Sequence, residues 1–213
     1  AFTLAQMNAI KIYSRETDGF PCRAMDLNKI RNTMVLGEGA GVVALERDNP
    51  NAIANITGVG FATDNLEHTI SISEDAVCFQ KSMKMALGDL PLSEVDAIVM
   101  HAPGTIKGDL SEYKAIQKVF GEHAYQLNIS STKSMTGHLL GAAGAIEAIA
   151  SILSVVNNAI PPTINHFTDD PAFDTKLNFT FNKAQHKEVR AALSNTFGFG
   201  GHNASVIFKK YEP

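Results

Sequence analysis

The chain has 213 residues, 45% of them hydrophobic and 19% charged, with a formal charge of −4. That composition supports a sizeable buried core and excludes a disordered tail, while the scattered basic residues exclude a nucleic-acid footprint. No apolar run approaches a membrane span, no signal-peptide layout opens the chain, and two cysteines, Cys22 and Cys78, fit a reducing, cytoplasmic setting rather than a disulfide framework.

In chain order, AFTLAQMNAIKIY comes first, with Phe2, Ala5, Ala9, Ile12 and Tyr13 at helical spacing. A chain that opens on Ala1 straight into a helix reads as cut from something longer. Residues 14–33 are polar, contain Gly19 and Pro21, and read as a loop. MVLGEGAGVVALE (34–46) and NAIANITGVGF (51–61) read as two strands joined by a DNPN turn. SEDAVCFQKSMKMALGDL (73–90) is an amphipathic helix, with Val77, Met83, Ala86 and Leu87 on its buried side and Ser73 as N-cap. VDAIVM (95–100) has the length of a buried strand and ends at His101. DLSEYKAIQKVFG (109–121) is a helix with a capping-box pattern at Asp109 and Glu112 and a C-cap at Gly121.

YQLNIS (125–130) is a further strand. GAIEAIASILSVVNN is a helix that is apolar nearly all round, which predicts a central position. IPPTIN (160–165) must be extended because of its prolines. EVRAALSNTF (188–197) and ASVIFKKY (204–211) are strands on either side of the glycine turn FGFGGHN. Alternating strands and helices give an α/β layered fold, with no fixed-period repeat and no linker, and so one domain over residues 1–213.

Chemistry has three candidate locations. In VMHAPGTIKGD, His101 lies where a buried strand becomes a loop, the usual place for ligand sites in open α/β sheets. A polar strand terminus is the plain alternative. In SSTKSMTGHLLGAAGAIEAIA (130–150), Gly137, Gly141 and Gly144 each cost the helix about 1 kcal/mol relative to alanine. His138 stands near that helix's start, where the dipole favours a neutral imidazole. A tight helix crossing would explain the small residues, but not Lys133 and Glu147 in so apolar a stretch. In SNTFGFGGHNAS, Gly198, Gly200 and Gly201 expose backbone N–H groups that could hold an oxyanion, or simply form a hairpin turn. Neither glycine cluster has dinucleotide spacing, there is no Walker A run, and no histidine or cysteine spacing suits a metal.

Taken in series, LGEGAGVVALE (36–46), KSMTGHLLGAAGAIEAI (133–149), IPPTIN (160–165) and SNTFGFGGHNAS (194–205) resemble the C-terminal half of the β-ketoacyl-[acyl carrier protein] synthases. GHLLGAAG around His138 is similar to the elongating, Cys-His-His members. The resemblance implies a layered thiolase-like fold in which a mixed sheet packs between helices. It also implies decarboxylating Claisen condensation of an acyl thioester with malonyl-[acyl carrier protein], in fatty acid or polyketide-type synthesis. No cofactor is implied; the substrate rides on the phosphopantetheine of the carrier protein. Implied partners are that carrier protein, an N-terminal half of the same enzyme, and a second subunit in a homodimer or synthase-like heterodimer, with neither nucleic acid nor membrane.

By the same resemblance, His101 and His138 match the family's two histidines, Lys133 its site lysine and Glu147 the associated glutamate. The backbone N–H of Phe199 matches half of an oxyanion hole and its ring a gate. Thr105, Phe197 and Gly200 match substrate-binding positions, and Asp109 and His202 structural ones near the site. The sequence departs from the family at His101-Ala102-Pro103-Gly104-Thr105, where Pro103 replaces a threonine and cannot donate a hydrogen bond. His202 replaces a common threonine. Neither Cys22 nor Cys78 lies in the context of the family's nucleophile, which implies that the half carrying it is absent and that this stretch alone is inactive. A synthase-like partner that shapes chain length without catalysis is the alternative, which retention of both histidines argues against.

Overall fold

The run VDAIV, apolar except at Asp96, becomes β2 (Val95–Val99), fully buried, and every other strand of the main sheet is arranged around it. The computed structural model describes residues 2–17, 19–27, 29, 31–64 and 76–212. Five strands form a mixed sheet in the order β1 (Ala54–Thr63), β7 (His202–Lys210), β6 (Ala191–Gly198), β2, β3 (Asn128–Ser130). β6, β2 and β3 run parallel, and β7 runs antiparallel to both β6 and β1. A separate two-stranded ribbon pairs β4 (Ala159–Ile160) with β5 (Gln185–His186).

Strand alternation sends neighbouring side chains to opposite faces. Ile98, Leu193 and Ile207 face one way, into a core with Phe79 and Met83 of α2 (Val77–Leu87) and Ile116 and Phe120 of α3 (Ile106–Phe120). Ala97 and Ala192 face the other way, toward Val155 of α5 (Ala143–Asn157). The sheet is thus sandwiched between α2 and α3 on one face and α5 on the other. β1 meets α2 through Gly58 and Gly60, where an added Cβ would come within 1.8 Å of the Ala86 carbonyl oxygen and 1.9 Å of that of Ser82.

Several sequence expectations change. The first helix, α1 (Phe2–Ala9), ends earlier than its periodicity suggested and buries only Met7, leaving Phe2 76% exposed. Residues 34–46 do not form a strand: Met34 and Leu36 make isolated bridges to Tyr13 and His138, and among the described residues no ladder continues beyond them. Val42 and Leu45 are 90% and 72% exposed. High β-propensity yields a strand only where a neighbour supplies the ladder. α2 begins at Val77, which is exposed rather than buried, while Met83, Ala86 and Leu87 are buried as expected. The N-cap expected at Ser73 lies outside the described residues.

α3 begins at Ile106, three residues before the expected start, and ends as expected at Gly121, whose N–H donates to the Gln117 carbonyl. Asp109 and Glu112 are therefore not a capping box, and both reach back to backbone N–H groups of the preceding loop. α5 is not enclosed all round, since Leu153 is 49% exposed. Leu140–Asn157, contrary to the composition-based expectation, is long and apolar enough to cross a membrane, with a mean hydropathy of 1.6. Here it packs on β6 and β7 and carries the buried Glu147, as the core helix of a folded domain does.

Substituting Gly60 with valine drives a side chain into the α2 backbone, and is expected to cost about 1–3 kcal/mol of stability by urea denaturation. Gly88→Ala, where no atom lies within 4 Å of the added Cβ, meets only the strain of a positive φ.

Candidate active site

Because β2, β3 and β6 are adjacent and parallel, their carboxyl ends open at one edge of the sheet. His101 follows β2. Lys133 and His138 follow β3, in and just after the short α4 (Lys133–Thr136), while Phe197 closes β6. This edge is where ligands bind in open α/β sheets.

His101 is buried, and its Nδ1 accepts the backbone N–H of Phe197 at 3.2 Å. His138 is partly buried, and its Nδ1 accepts the backbone N–H of Leu140, also at 3.2 Å. With Nδ1 an acceptor in both rings, the neutral imidazoles carry their proton on Nε2 and present it as a donor. The rings stand edge to face, 5.1 Å between centroids. Burial, then the charge of Lys133, depresses His138 to about 3, and the same two causes with His138 hold His101 well below its ordinary value. Both are neutral at physiological pH. For His138 the stability gained from neutrality is present above about 6.5 and is lost as pH falls toward about 3.

The His138 backbone is gripped on both sides: its N–H donates to the Val35 carbonyl at 2.7 Å, and its carbonyl accepts the Gly37 N–H at 3.1 Å. Leu140, whose N–H fixes the ring, has a φ of 53°, a left-handed conformation that costs a leucine about 1–2 kcal/mol. Strain therefore sits at the residue that sets the tautomer.

Lys133 and Glu147 are both 1% exposed and form an ion pair, with Thr196 Oγ1 donating to the second Glu147 oxygen at 3.2 Å. Burial pushes the Glu147 carboxyl up, and the Lys133 ammonium opposes it. The pair is the charged centre that the apolar sequence around it demanded.

The His101–Thr105 loop is fixed from three directions. Glu112 accepts the N–H groups of His101 and Ala102, both at 2.9 Å. Asp109, fully buried and paired with Lys29 at 2.8 Å, accepts those of Gly104 and Thr105. Thr33 donates both its N–H and its hydroxyl to the Gly104 carbonyl. Gly104 has a φ of +91°, and a Cβ there would lie 2.7 Å from Thr33 Oγ1, so the position admits only glycine without rearrangement.

The glycine turn is a β6–β7 hairpin. Phe197 packs edge to face on His101 at 5.7 Å, Phe199 stands at the turn with 48% exposure, and a Cβ added at Gly200 would lie 3.3 Å from the ring of the exposed His202. Phe197, His101, His138, Lys133 and Glu147 thus form one connected cluster; Thr105 belongs to the loop beside it, and Asp109 of α3 holds that loop. His138 sits five residues ahead of α5 and Lys133 in α4, so the expected helix-start and loop placements do not hold. Gly137 and Gly141 also lie outside that helix, and burial with Lys133, rather than a helix dipole, accounts for the neutral His138.

Sequence reading missed Glu112 as a loop-holding group, Asn195 and Thr196 as its and Glu147's partners, and the Val35–Gly37 grip. Only Glu112 carried a signal, since a glutamate facing the core at a helix position needs a partner.

Neither cysteine is an activated thiol. Cys22 is buried against the Pro103 carbonyl at 3.8 Å and Cys78 against Asp64 at 3.4 Å, and burial first, with the nearby carboxylates, pushes both to about 12. Among the described residues no group of three or more His, Cys, Asp or Glu side chains could hold a metal ion.

Residues 53–167 match the family described as Beta-ketoacyl synthase, C-terminal domain. The chain belongs to that family. It is 42% identical over 190 residues to 3-oxoacyl-[acyl-carrier-protein] synthase 2 of Staphylococcus aureus (strain COL), covering 85% of this chain and 45% of the relative. It is 38% identical over 210 residues to the enzyme of that name from Coxiella burnetii, covering 95% and 50%. The ishigamide ketosynthase/chain length factor superposes with a TM-score of 0.87 at 30% identity, over 99% of this chain and 51% of that one. A beta-ketoacyl synthase from Burkholderia phymatum gives 0.85 at 28%, over 100% and 52%. The fold is that of the thiolase-like ketosynthases, as the motifs implied. The chain spans about half the length of the curated relatives it matches.

Lys133→Met alone strands the Glu147 carboxylate and is expected to lower stability by about 3–5 kcal/mol, whereas adding Glu147→Leu recovers most of it; urea denaturation of the two variants measures the difference. Iodoacetamide should modify Cys22 and Cys78 at pH 8 at least about a hundredfold more slowly than it modifies free cysteine, followed by mass spectrometry.

Proposed function

We propose that this chain is the C-terminal half, a single domain over residues 1–213, of an elongating β-ketoacyl-[acyl carrier protein] synthase. Its reaction is decarboxylating condensation of an acyl thioester with malonyl-[acyl carrier protein], in fatty acid or polyketide-type synthesis. The observation that carries this reading is the pair of neutral imidazoles, edge to face beside a buried ammonium, each with Nδ1 occupied and Nε2–H free to donate.

The chemistry follows from where charge develops. As the malonyl carbon–carbon bond breaks and CO₂ leaves, the electron pair moves onto the thioester, as an enolate. His101 and His138 donate Nε2–H groups to that oxygen, and a donor preorganised in a dry site is worth about 10²–10³ in rate. The carbanion then attacks the acyl thioester carbonyl, and the thiolate leaves. Burial, reinforced by the Lys133 charge that Glu147 holds in place, keeps both imidazoles neutral. Phe199 supplies a backbone N–H for the acyl carbonyl and a ring that gates the pocket. Thr105, Phe197 and Gly200 line the substrate, while Asp109 and His202 shape the surrounding backbone.

The nucleophilic thiol comes from outside these residues, because Cys22 and Cys78 are buried and poorly ionised. No cofactor is required; the substrate arrives on the phosphopantetheine of acyl carrier protein. A ketosynthase solved with its type II PKS acyl-carrier protein has a TM-score of 0.85 to this chain at 27% identity, which supports that partner. A homodimer, or a heterodimer of the ketosynthase/chain length factor kind, and a cytoplasmic setting complete the proposal. Pro103 offers no hydrogen-bond donor to the pantetheine arm, so the arm's contacts on this side fall to Thr105.

The test is CO₂ release from malonyl-[acyl carrier protein] by the full polypeptide. His101→Ala and His138→Ala should each lower kcat by about 10²–10³. Undiminished decarboxylation in both variants, or an acyl-enzyme on Cys22 or Cys78 by mass spectrometry, refutes the assignment.

A further inference from the structure

Between Pro103 and Ile106 the chain is held residue by residue from two sides. Asp109 of α3 takes the N–H groups of Gly104 and Thr105, at 3.2 and 3.1 Å. The carbonyls go the other way, to the stretch that precedes Met34. Cys22 donates its thiol to the Pro103 carbonyl at 3.8 Å, and Lys29 its ammonium to that of Thr105 at 3.5 Å. Thr33 donates to the Gly104 carbonyl twice, from its N–H at 2.9 Å and from its hydroxyl at 3.0 Å. Asn32 Oδ1 accepts the N–H of Ile106 at 3.1 Å.

Thr33 is the centre of this hold. It is fully buried, and its Oγ1 also accepts the backbone N–H of Arg23 at 3.0 Å. Both lone pairs of the Gly104 carbonyl are thus taken by one residue. The grip closes on the one positive-φ residue between His101 and Ile106. Thr105 comes next, at the N-cap of α3, where a threonine hydroxyl ordinarily turns back to accept an N–H of its own helix. Here it makes no such bond, while Asn32 takes the first helical N–H from outside. A hydroxyl with no cap to make can serve a ligand, and the turn before it sets its direction.

We propose that Thr33 is a positioning residue for the substrate's arm: its two bonds to the Gly104 carbonyl fix the turn that aims the Thr105 hydroxyl at the phosphopantetheine. The inference rests on the condensation reading, in which Thr105 meets that arm. His101 is secured separately, by Glu112 on its backbone and by the Phe197 N–H on its ring. Loosening the Gly104 turn therefore weakens binding of the arm and leaves the chemistry at the imidazoles intact. Valine at this position has the shape of threonine without the oxygen, so it strands the Arg23 N–H and removes half of the grip. Serine keeps both bonds.

Two substrates separate positioning from plain structure in the full polypeptide: malonyl-pantetheine, and malonyl methyl thioester, which has no arm. Thr33→Val should raise KM for decarboxylation of malonyl-pantetheine about 5–10-fold, with kcat changed by less than about twofold. For the methyl thioester kcat/KM should not change, and Thr33→Ser should bring the pantetheine KM back to within about twofold. An unmoved KM for malonyl-pantetheine, an equal fall in kcat/KM with both thioesters, or a loss confined to kcat overturns the inference. If the unsubstituted enzyme decarboxylates neither thioester, the condensation reading fails, and saturation-transfer NMR with pantetheine alone decides on Thr33. A Kd about 5–10-fold weaker in Thr33→Val then supports the positioning role, and an equal Kd overturns it. Should Thr33→Val not fold, Thr33→Ala replaces it, since it removes the hydroxyl without setting a methyl against the Gly104 carbonyl. The same split between the two thioesters is expected, and its absence overturns the proposal.

Discussion

The site is organised by one buried ammonium. Lys133 cannot be hydrated where it sits, so it must be matched by Glu147, and Glu147 must be matched again by Thr196. A positive charge enclosed in this way makes any further cation nearby unfavourable. Burial first, and then this charge, keeps the two histidines beside it neutral, and neutral imidazoles are the form that can both accept a backbone N–H and donate to an oxygen. The ion pair need not contribute net stability to matter. It adds to burial in keeping its neighbours neutral.

Around that centre the protein uses backbone N–H groups as its positioning tools. Phe197 and Leu140 supply the donors that choose the imidazole tautomers, and Val35 and Gly37 clasp the His138 peptide. Glu112 and Asp109 gather four successive loop N–H groups. A buried Glu112 with a raised affinity for protons contributes stability that is present below about 4.5 and is lost as pH rises through about 7.

Much of this was legible in the sequence where the signal was local. β2 is a five-residue run that is apolar except at Asp96, α3 and α5 carry their helical spacing, and the glycines of the β6–β7 turn mark the hairpin. The histidine, lysine and glutamate of the site stood out as titratable groups in apolar company, and several motifs in series named the family. What was not legible depended on distant partners. Residues 34–46 have the composition of a strand but find no ladder neighbour among the described residues. Asp109 and Glu112 looked like a helix cap because cap and loop-holding carboxylates share a spacing. The tautomer of His138 depends on the N–H of Leu140, and no side-chain pattern reports a backbone donor.

Among the described residues the sheet ends at β1, a ten-residue strand paired on its β7 side. On this strand Val59 and Phe61 are 40% and 65% exposed, and the Phe61 N–H donates to Met85 Sδ at 3.5 Å. Such an edge is a template for another strand. Handled by itself, this chain should be sticky in a specific way: it should lengthen end to end through its sheets rather than precipitate at random. Lysine in place of Phe61 is the kind of blunting that natural sheet edges use.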